Sequence, residues 1–228
     1  MNSLQNPWDL LGEKTFNTHL KAGKIDPAAA DNILIAWPSL LKLIAKEYPD
    51  PKNSRVLDFG CGTGGFCNKL DSLGFDVTGV DPSIEMTNIA KQHSPSAIKY
   101  IRGDQSKLSS LGTFHIITSI MTLPFIKNIN ETFNSISKAL KANGVFIFAS
   151  FNPQWVKACL NSHVAFTDFD SIENPKNGWK TFSDGIKIPV YIRNSNEYDD
   201  LAKKNGLTKI TEEYPPYNEE FKKYIKRY

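Results

Sequence analysis

The chain has 228 residues, 40% of them hydrophobic and 22% charged, which is the size and balance of one globular domain with its own core. Its 27 Lys and Arg against 24 Asp and Glu give a net charge of +3, too small to imply a polyanionic partner, so nucleic acid is not expected. There is no run of about 18 apolar residues and no basic-then-apolar leader, which leads us to expect a cytoplasmic protein without a membrane span.

In chain order, "NPWDLLGEKTFNTHL" carries Trp8 and Phe16, either core packing or a flap over a ligand. Asp26-Pro27 then reads as a helix N-cap followed by proline at the first helical position. It opens "AAADNILIAWPSLLKLIAKEY", which Pro38 should divide at Trp37. Residues 1–50 are thus expected to form a helical cap.

From 54 to 150, short apolar runs alternate with helix-length amphipathic segments, the pattern of βαβ units. The expected strands are "RVLDF" (Arg55 to Phe59), Asp76 to Val80, Ile98 to Ile101, Phe114 to Ile120 and Val145 to Ser150. Their continuous apolar character requires both faces of the sheet to be covered. Gly74 and Asn143-Gly144 stop two of the helices, and Ile129, Phe133, Ile136 and Leu140 form a helical stripe facing the sheet. The fold class is therefore α/β, a doubly wound, mostly parallel sheet with helices on both faces.

Residues 151–193 have no clean period and read as an irregular insertion after strand 5, with one strand within "IKIPVYI". Residues 194–228 should supply a helix, Ser195 to Asn205, ended by Gly206, then a sixth strand, "LTKITEEY". The basic tail "EEFKKYIKRY" reads as a solvated helix face. Cys61, Cys67 and Cys159 form no C-x-x-C pair and are expected to be free thiols, and no cluster has metal-ligand spacing.

The chemistry concentrates in "RVLDFGCGTGGF". Gly60, Gly62 and Gly65 fit the dinucleotide pattern G-x-G-x-x-G, while Gly60, Gly62 and Gly64 fit G-x-G-x-G. Asp58, two residues before the first glycine, separates these readings. A pyrophosphate about 4 to 6 Å from its carboxylate would be repelled by roughly 3 to 4 kcal/mol at an effective dielectric near 20. S-adenosylmethionine, with an ammonium and a sulfonium, would be attracted. Asp81, ending the second strand, can accept from both hydroxyls of a ribose, which suits NAD as well. Asp104, with Gln105 beside it, follows the third strand within reach of an adenine amino group.

Together "VLDFGCGTGGF", "GVDPS", "GDQ" and "FHIITSIMTLPFI" resemble the successive motifs of class I S-adenosylmethionine-dependent methyltransferases, over about residues 54 to 150. The resemblance implies a Rossmann-like, seven-stranded sheet with the cofactor across the carboxyl ends of the first strands. It implies that Asp58, Gly60, Cys61 and Gly62, with Phe59 in the same stretch, surround the methionine portion. Asp81 would bind the ribose, Pro82 and Met86 would lie against adenine or ribose, Asp104 and Gln105 would hold the adenine edge, and Ser119 and Ile120 would lie beside the sulfonium. His115, where the family commonly has Asp, falls at the far end of its strand and reads as structural. No β-rich run follows "EEYPPYNEEFKKYIKRY" to make a seventh strand.

Methyl transfer from a sulfonium relies largely on positioning, so the chemistry need not show as a conserved-looking acid or base. "SIMTLPF" lacks the N/D-P-P-F/Y ending of nucleobase amine methyltransferases, and "FNPQW" sits after the wrong strand and reads as a turn. A small-molecule acceptor is expected, under a lid formed by residues 151–193 with its aromatic residues Trp155, Phe166, Phe169 and Trp179. His163, Tyr191 and Arg193 are the candidate catalytic or acceptor-binding residues, each with a plain structural alternative. The rival readings are an RNA or protein methyltransferase, a non-catalytic cofactor-binding subunit and a nicotinamide oxidoreductase.

Overall fold

The computed structural model describes residues 6–11, 16–19, 24–160, 166–182 and 185–225. Five strands, β1 (Arg55–Phe59), β2 (Asp76–Asp81), β3 (Lys99–Arg102), β4 (Phe114–Ile120) and β5 (Leu140–Ala149), form a wholly parallel sheet in the order β3-β2-β1-β4-β5. The order reverses between β1 and β4, and such a switch point opens a crevice at the carboxyl ends of the strands.

Alternate residues of each strand feed two cores. Val56, Val77, Ile116 and Val145 face α1 (Trp37–Glu47), α2 (Gly65–Ser72) and α3 (Ile84–Gln92), packing against Leu40, Ile44, Phe66, Leu70 and Ala90. Leu57, Val80 and Ile117 face α4 (Ile129–Ala139) through Ile136 and Ala139. Helices on both faces are the doubly wound arrangement that the apolar strands required. Removing one fully buried side chain such as Phe133 would cost about 3 to 5 kcal/mol.

Several boundaries differ from the sequence reading. The stripe Ile129, Phe133 and Ile136 is buried as expected, but α4 stops at Ala139 and Leu140 already belongs to β5. Asn143, at φ 62°, and Gly144 then sit in a shifted register between Phe114 and Ile116. A Cβ on Gly144 would come within 3.1 Å of the carbonyls of Phe114 and His115. The Asn-Gly pair therefore makes a bulge inside a strand rather than a helix stop.

The described residues of the insertion form regular elements rather than an irregular loop. It holds α5 (Pro153–Leu160) and an antiparallel sheet of β6 (Phe166–Thr167), β7 (Asn177–Thr181) and β8 (Lys187–Tyr191), in that order. Only β8 was expected. β7 reads "NGWKT", and its glycine exists for close approach, since a Cβ on Gly178 would lie 2.3 Å from a Phe169 ring carbon. That packing is tertiary and leaves no period in the sequence.

α6 (Ser195–Lys204) packs through Tyr198 against Phe133, and its capping box uses Asn194 and Glu197. The expected strand "LTKITEEY" is absent, since residues 207–217 are extended but unpaired and mostly exposed, and α7 (Glu219–Ile225) follows. A run with polar residues on both faces cannot extend a sheet that is buried on both sides. The described residues therefore give the main sheet five strands, not seven.

Before the sheet, Asp26 caps a short 3-10 turn at Pro27–Ala29, accepting from the Ala28 N–H. A π-helix over Asn32–Ala36 then runs directly into α1, with Pro38 in its first turn, so the long helical segment changes type where the proline predicts. Among the described residues no helix is long and apolar enough to cross a membrane.

Candidate active site

The loop after β1 has Gly60, Gly62 and Gly64 at φ 78°, 53° and 87°, a backbone that L side chains rarely adopt. The N–H groups of Gly60 and Cys61 both donate to the Val80 carbonyl, at 2.7 and 3.1 Å. The Gly62 N–H donates to Asp81 Oδ2 at 2.9 Å, and the Ser83 N–H to Asp81 Oδ1 at 2.9 Å. Asp81 thus joins the glycine loop to the start of α3. Gly64, the residue before α2, has no side chain to cap it, and Thr18 substitutes: its Oγ1 accepts from the Gly65 N–H at 3.0 Å.

Burial dominates the acids here. Asp81 is 8% exposed, and desolvation pushes its carboxyl up to about 6 against the two N–H donors that favour its charge. Asp58 is 3% exposed and is likewise pushed up to about 6 by burial, although it accepts from Thr118 Oγ1 at 2.8 Å and Cys67 Sγ at 3.6 Å. Asp104 is exposed, and hydrogen bonds from Ser106 hold it below the usual range.

Asp9 Oδ1 accepts from Ser83 Oγ at 2.6 Å and from the Ile84 N–H at 2.8 Å, so it supports the N-terminus of α3 from a distant segment. It also places Trp8 edge-on to the rings of Phe125 and Phe182, with centroids 4.9 and 5.7 Å away. Trp8 and Phe16 therefore roof a cavity of about 290 Å³ at the carboxyl edge of the main sheet.

Of the residues expected at the cofactor, Phe59, Gly60, Gly62, Asp81, Pro82, Met86, Asp104, Gln105 and Ile120 line this cavity. Asp58, Cys61 and Ser119 do not; all three are buried, and Ser119 Oγ has no hydrogen-bond partner. Asp58 looks instead along the sheet to Thr118 on the next strand.

The acceptor-side candidates fare differently. His163 lies outside the described residues. Tyr191 and Arg193 do not line the cavity. The Arg193 guanidinium donates to the carbonyls of Ile126 at 2.8 Å, Lys127 at 3.0 Å, Leu123 at 3.3 Å and Tyr191 at 3.3 Å, tying β8 to the turn after β4. Trp155, Phe166 and Phe169 pack with Phe151 in a core of their own, and Trp179 is 39% exposed.

The cavity is lined instead by Phe125, Phe182, Lys180, Asp31 and Asn32, none of which the sequence reading selected. Asp31 and Asn32 carried one available signal, a polar pair inside an otherwise apolar helical stretch. His115 accepts the Arg55 N–H on Nδ1 at 2.9 Å, at the far end of the sheet from the cavity, in keeping with a structural role.

The residues present fit the cofactor that the sequence motifs imply. Asp81 spends one lone pair of each oxygen on backbone N–H groups and keeps others for a diol. A Cβ on Gly62 would meet only Phe16, at 3.7 Å, so the loop leaves open space on its cavity side. Among the described lining residues the sole cation, Lys180, stands on β7, whereas the acid Asp81 is bound to the glycine loop itself, where it would repel a pyrophosphate.

Comparison with known proteins agrees. The family model described as a methyltransferase domain matches residues 33–212. The Bacillus subtilis protein YqeM, named as a methyltransferase, is 29% identical over 65% of this chain and 64% of its own length. A ubiquinone biosynthesis O-methyltransferase from Colwellia psychrerythraea is 30% identical over 45% of this chain and 46% of its own. The chain thus spans about half to two thirds of the length of these relatives. Among solved structures, the PH0226 protein of Pyrococcus horikoshii superposes with a TM-score of 0.67 at 22% identity, covering 87% of this chain and 89% of that one. The S-adenosylmethionine-bound amino pentose methyltransferase CalS10 of Micromonospora echinaspora gives 0.57 at 16% identity, covering 82% and 91%. With its parallel sheet, its glycine loop and a family match over most of its length, this chain belongs to the methyltransferase domain family and has a Rossmann-like fold.

Proposed function

We propose that the protein binds S-adenosylmethionine at the carboxyl edge of the sheet and transfers its methyl group to a small-molecule acceptor in the same cavity. The observation that carries this reading is a single cavity lined both by the glycines and acids of the loops after β1, β2 and β3 and by the aromatic rings of Trp8, Phe125 and Phe182.

In this reading Asp81 accepts from the ribose hydroxyls, and Asp104 with Gln105 meets the adenine edge. Pro82 and Met86 lie against adenine or ribose. Asp58, Phe59, Gly60, Cys61 and Gly62 surround the methionine portion, with Ser119 and Ile120 near the sulfonium. Since Asp58 and Cys61 do not line the cavity, they act from beneath the loop, Asp58 through its charge. When bound, the cofactor supplies a methyl group on an already activated leaving group. The chain's own task is to align the acceptor and exclude water, which the aromatic roof does.

A cavity of about 290 Å³ roofed by the N-terminal segment suits a metabolite rather than a nucleic acid or protein chain. The ubiquinone biosynthesis relative points the same way. The buried thiols of Cys61, Cys67 and Cys159, joined by no disulfide among the described residues, suit the reducing cytoplasm.

Calorimetric titration with S-adenosylmethionine, S-adenosylhomocysteine and NAD tests the binding half. We expect saturable binding of the first two only, and saturable NAD binding without a response to S-adenosylmethionine would overturn the reading. Labelled-methyl transfer to a metabolite extract tests the second half. Cofactor binding with no transfer to any metabolite would indicate a non-catalytic binding subunit.

A further inference from the structure

Lys180 is the feature of the cavity that cofactor binding leaves unexplained. Its ammonium lies 4.9 Å from the ring centroid of Phe151, 5.3 Å from that of Phe182 and 5.8 Å from that of Phe166. It forms no ion pair or hydrogen bond with a described residue; Asp31 is its longer-range charge partner. Burial pushes its pKa down, the direction expected of an ammonium short of compensating charge. Three ring faces offset part of the desolvation, but they offer no anion.

Asn32 stands in the same wall. It is 7% exposed, and its Oδ1 is buried with no hydrogen-bond partner. Asn32 opens the π-helix, a rare backbone form often found at functional sites, and the preceding Asp31 also lines the cavity. A buried carbonyl without a donor, and a half-buried ammonium whose nearest anion, Asp31, acts only at longer range, leave both positions open to a ligand that supplies a donor and an anion. Trp8, Phe125 and Phe182, packed edge to face on one another, give the same cavity an apolar wall against which an apolar body can lie.

We propose that Lys180 and Asn32 form the acceptor's polar subsite, and that the acceptor is a largely apolar molecule bearing an oxyanion, carboxylate or phenolate, beside a hydrogen-bond donor. Lys180 takes the oxyanion, and Asn32 Oδ1 accepts from the neighbouring hydroxyl or N–H. This inference rests on the methyl-transfer reading, which puts cofactor and acceptor in one cavity.

The test uses full-length protein saturated with S-adenosylhomocysteine and a set of small probes: benzoate, 2-hydroxybenzoate, 4-nitrophenolate, neutral benzamide and cationic benzylamine. We expect the anions to bind at least about tenfold more tightly than benzamide or benzylamine. The ratio of benzoate to 4-nitrophenolate affinity then tells which oxyanion fits. Lys180→Gln should remove the anion preference and Lys180→Arg should keep most of it. Asn32→Leu should cancel the advantage of 2-hydroxybenzoate over benzoate. Affinity for S-adenosylhomocysteine, unchanged within about twofold, reports that each variant is folded. Anions that bind no better than benzamide, or not at all, overturn the proposal, as does a Lys180→Gln variant that keeps the preference. Wild-type protein that fails to bind S-adenosylhomocysteine refutes the underlying reading instead.

Discussion

The Gly62 N–H donates to the Asp81 carboxylate at 2.9 Å, so the acid that ends β2 holds the glycine loop that follows β1. Asp81 therefore shapes the loop, and in the proposed function it also offers oxygens to the ribose. Asp81→Ala should weaken S-adenosylmethionine binding by about 2 to 3 kcal/mol and also lower the ligand-free thermal midpoint, because the Gly62 and Ser83 N–H groups both lose their acceptor. Calorimetry and thermal melts on the same variant check both. Unchanged cofactor affinity in folded Asp81→Ala would assign the ribose elsewhere.

Proton linkage gives the second prediction. Asp58 and Asp81 are each raised by burial from 3.8 to about 6 in the folded chain. Between pH 4 and 6 the folded state binds more protons than the unfolded one, so each acid's contribution to stability is full below pH 4 and lost as pH rises through 6. The loss is roughly 3 kcal/mol per group. Asp58→Asn should therefore gain stability relative to wild type as pH goes from 4 to 7, with no such gain below pH 4. A ligand that prefers the ionised carboxylates must also bind more tightly from pH 5 to 7 and release protons near pH 6. Titrations in buffers of different ionisation enthalpy measure that release, and its absence would remove these acids from the cofactor's surroundings.

The glycine loop separates steric from conformational effects. A Cβ at Gly60 would stand 2.1 Å from Thr122 Oγ1, whereas at Gly62 its nearest neighbour would be Phe16 at 3.7 Å. Both positions have positive φ. Gly62→Ala should cost about 1 to 2 kcal/mol of stability, the backbone penalty alone. Gly60→Ala should cost more and displace the turn at Thr122. Equal losses in chemical denaturation would refute the distinction.

Asp9 ties the roof down. Asp9→Ala removes a distant cap from α3 and should cost about 1 to 2 kcal/mol, a few degrees in the thermal midpoint for a chain of this size. Because Trp8 is its neighbour, the acceptor's KM should rise more than the cofactor's. Steady-state kinetics with each substrate varied would show the contrast; equal rises would mean the roof serves both ligands, and a rise in the cofactor's KM alone that it serves only the cofactor.

The main sheet was legible because Val56-Leu57 and Ile116-Ile117 must each be buried on opposite faces, a demand written into consecutive residues. Asp81 and Asp104 were legible because the end of a strand tells where a side chain stands. The acceptor side had no such index. Lys180 sits on a five-residue strand whose glycine answers to Phe169, and Asn32 on a wide helical turn that resembles any amphipathic segment when read as letters. Arg193 was noticed for its charge, yet that charge serves four backbone carbonyls, a use that only the fold reveals.

The π-helix at Asn32–Ala36 works as a slack link in the chain. Downstream, Ala36, Leu40 and Ile44 repeat every four residues and lock α1 to the sheet. Upstream, Asp31 and Asn32 face the cavity. An α-helix would couple the two phases at about 100° per residue, whereas one wide turn lets them be set independently. Loss of a single residue here would rotate the cavity-facing pair away while α1 kept its seat. A change confined to this one helical turn would thus reshape the cavity wall without rebuilding the scaffold beneath it.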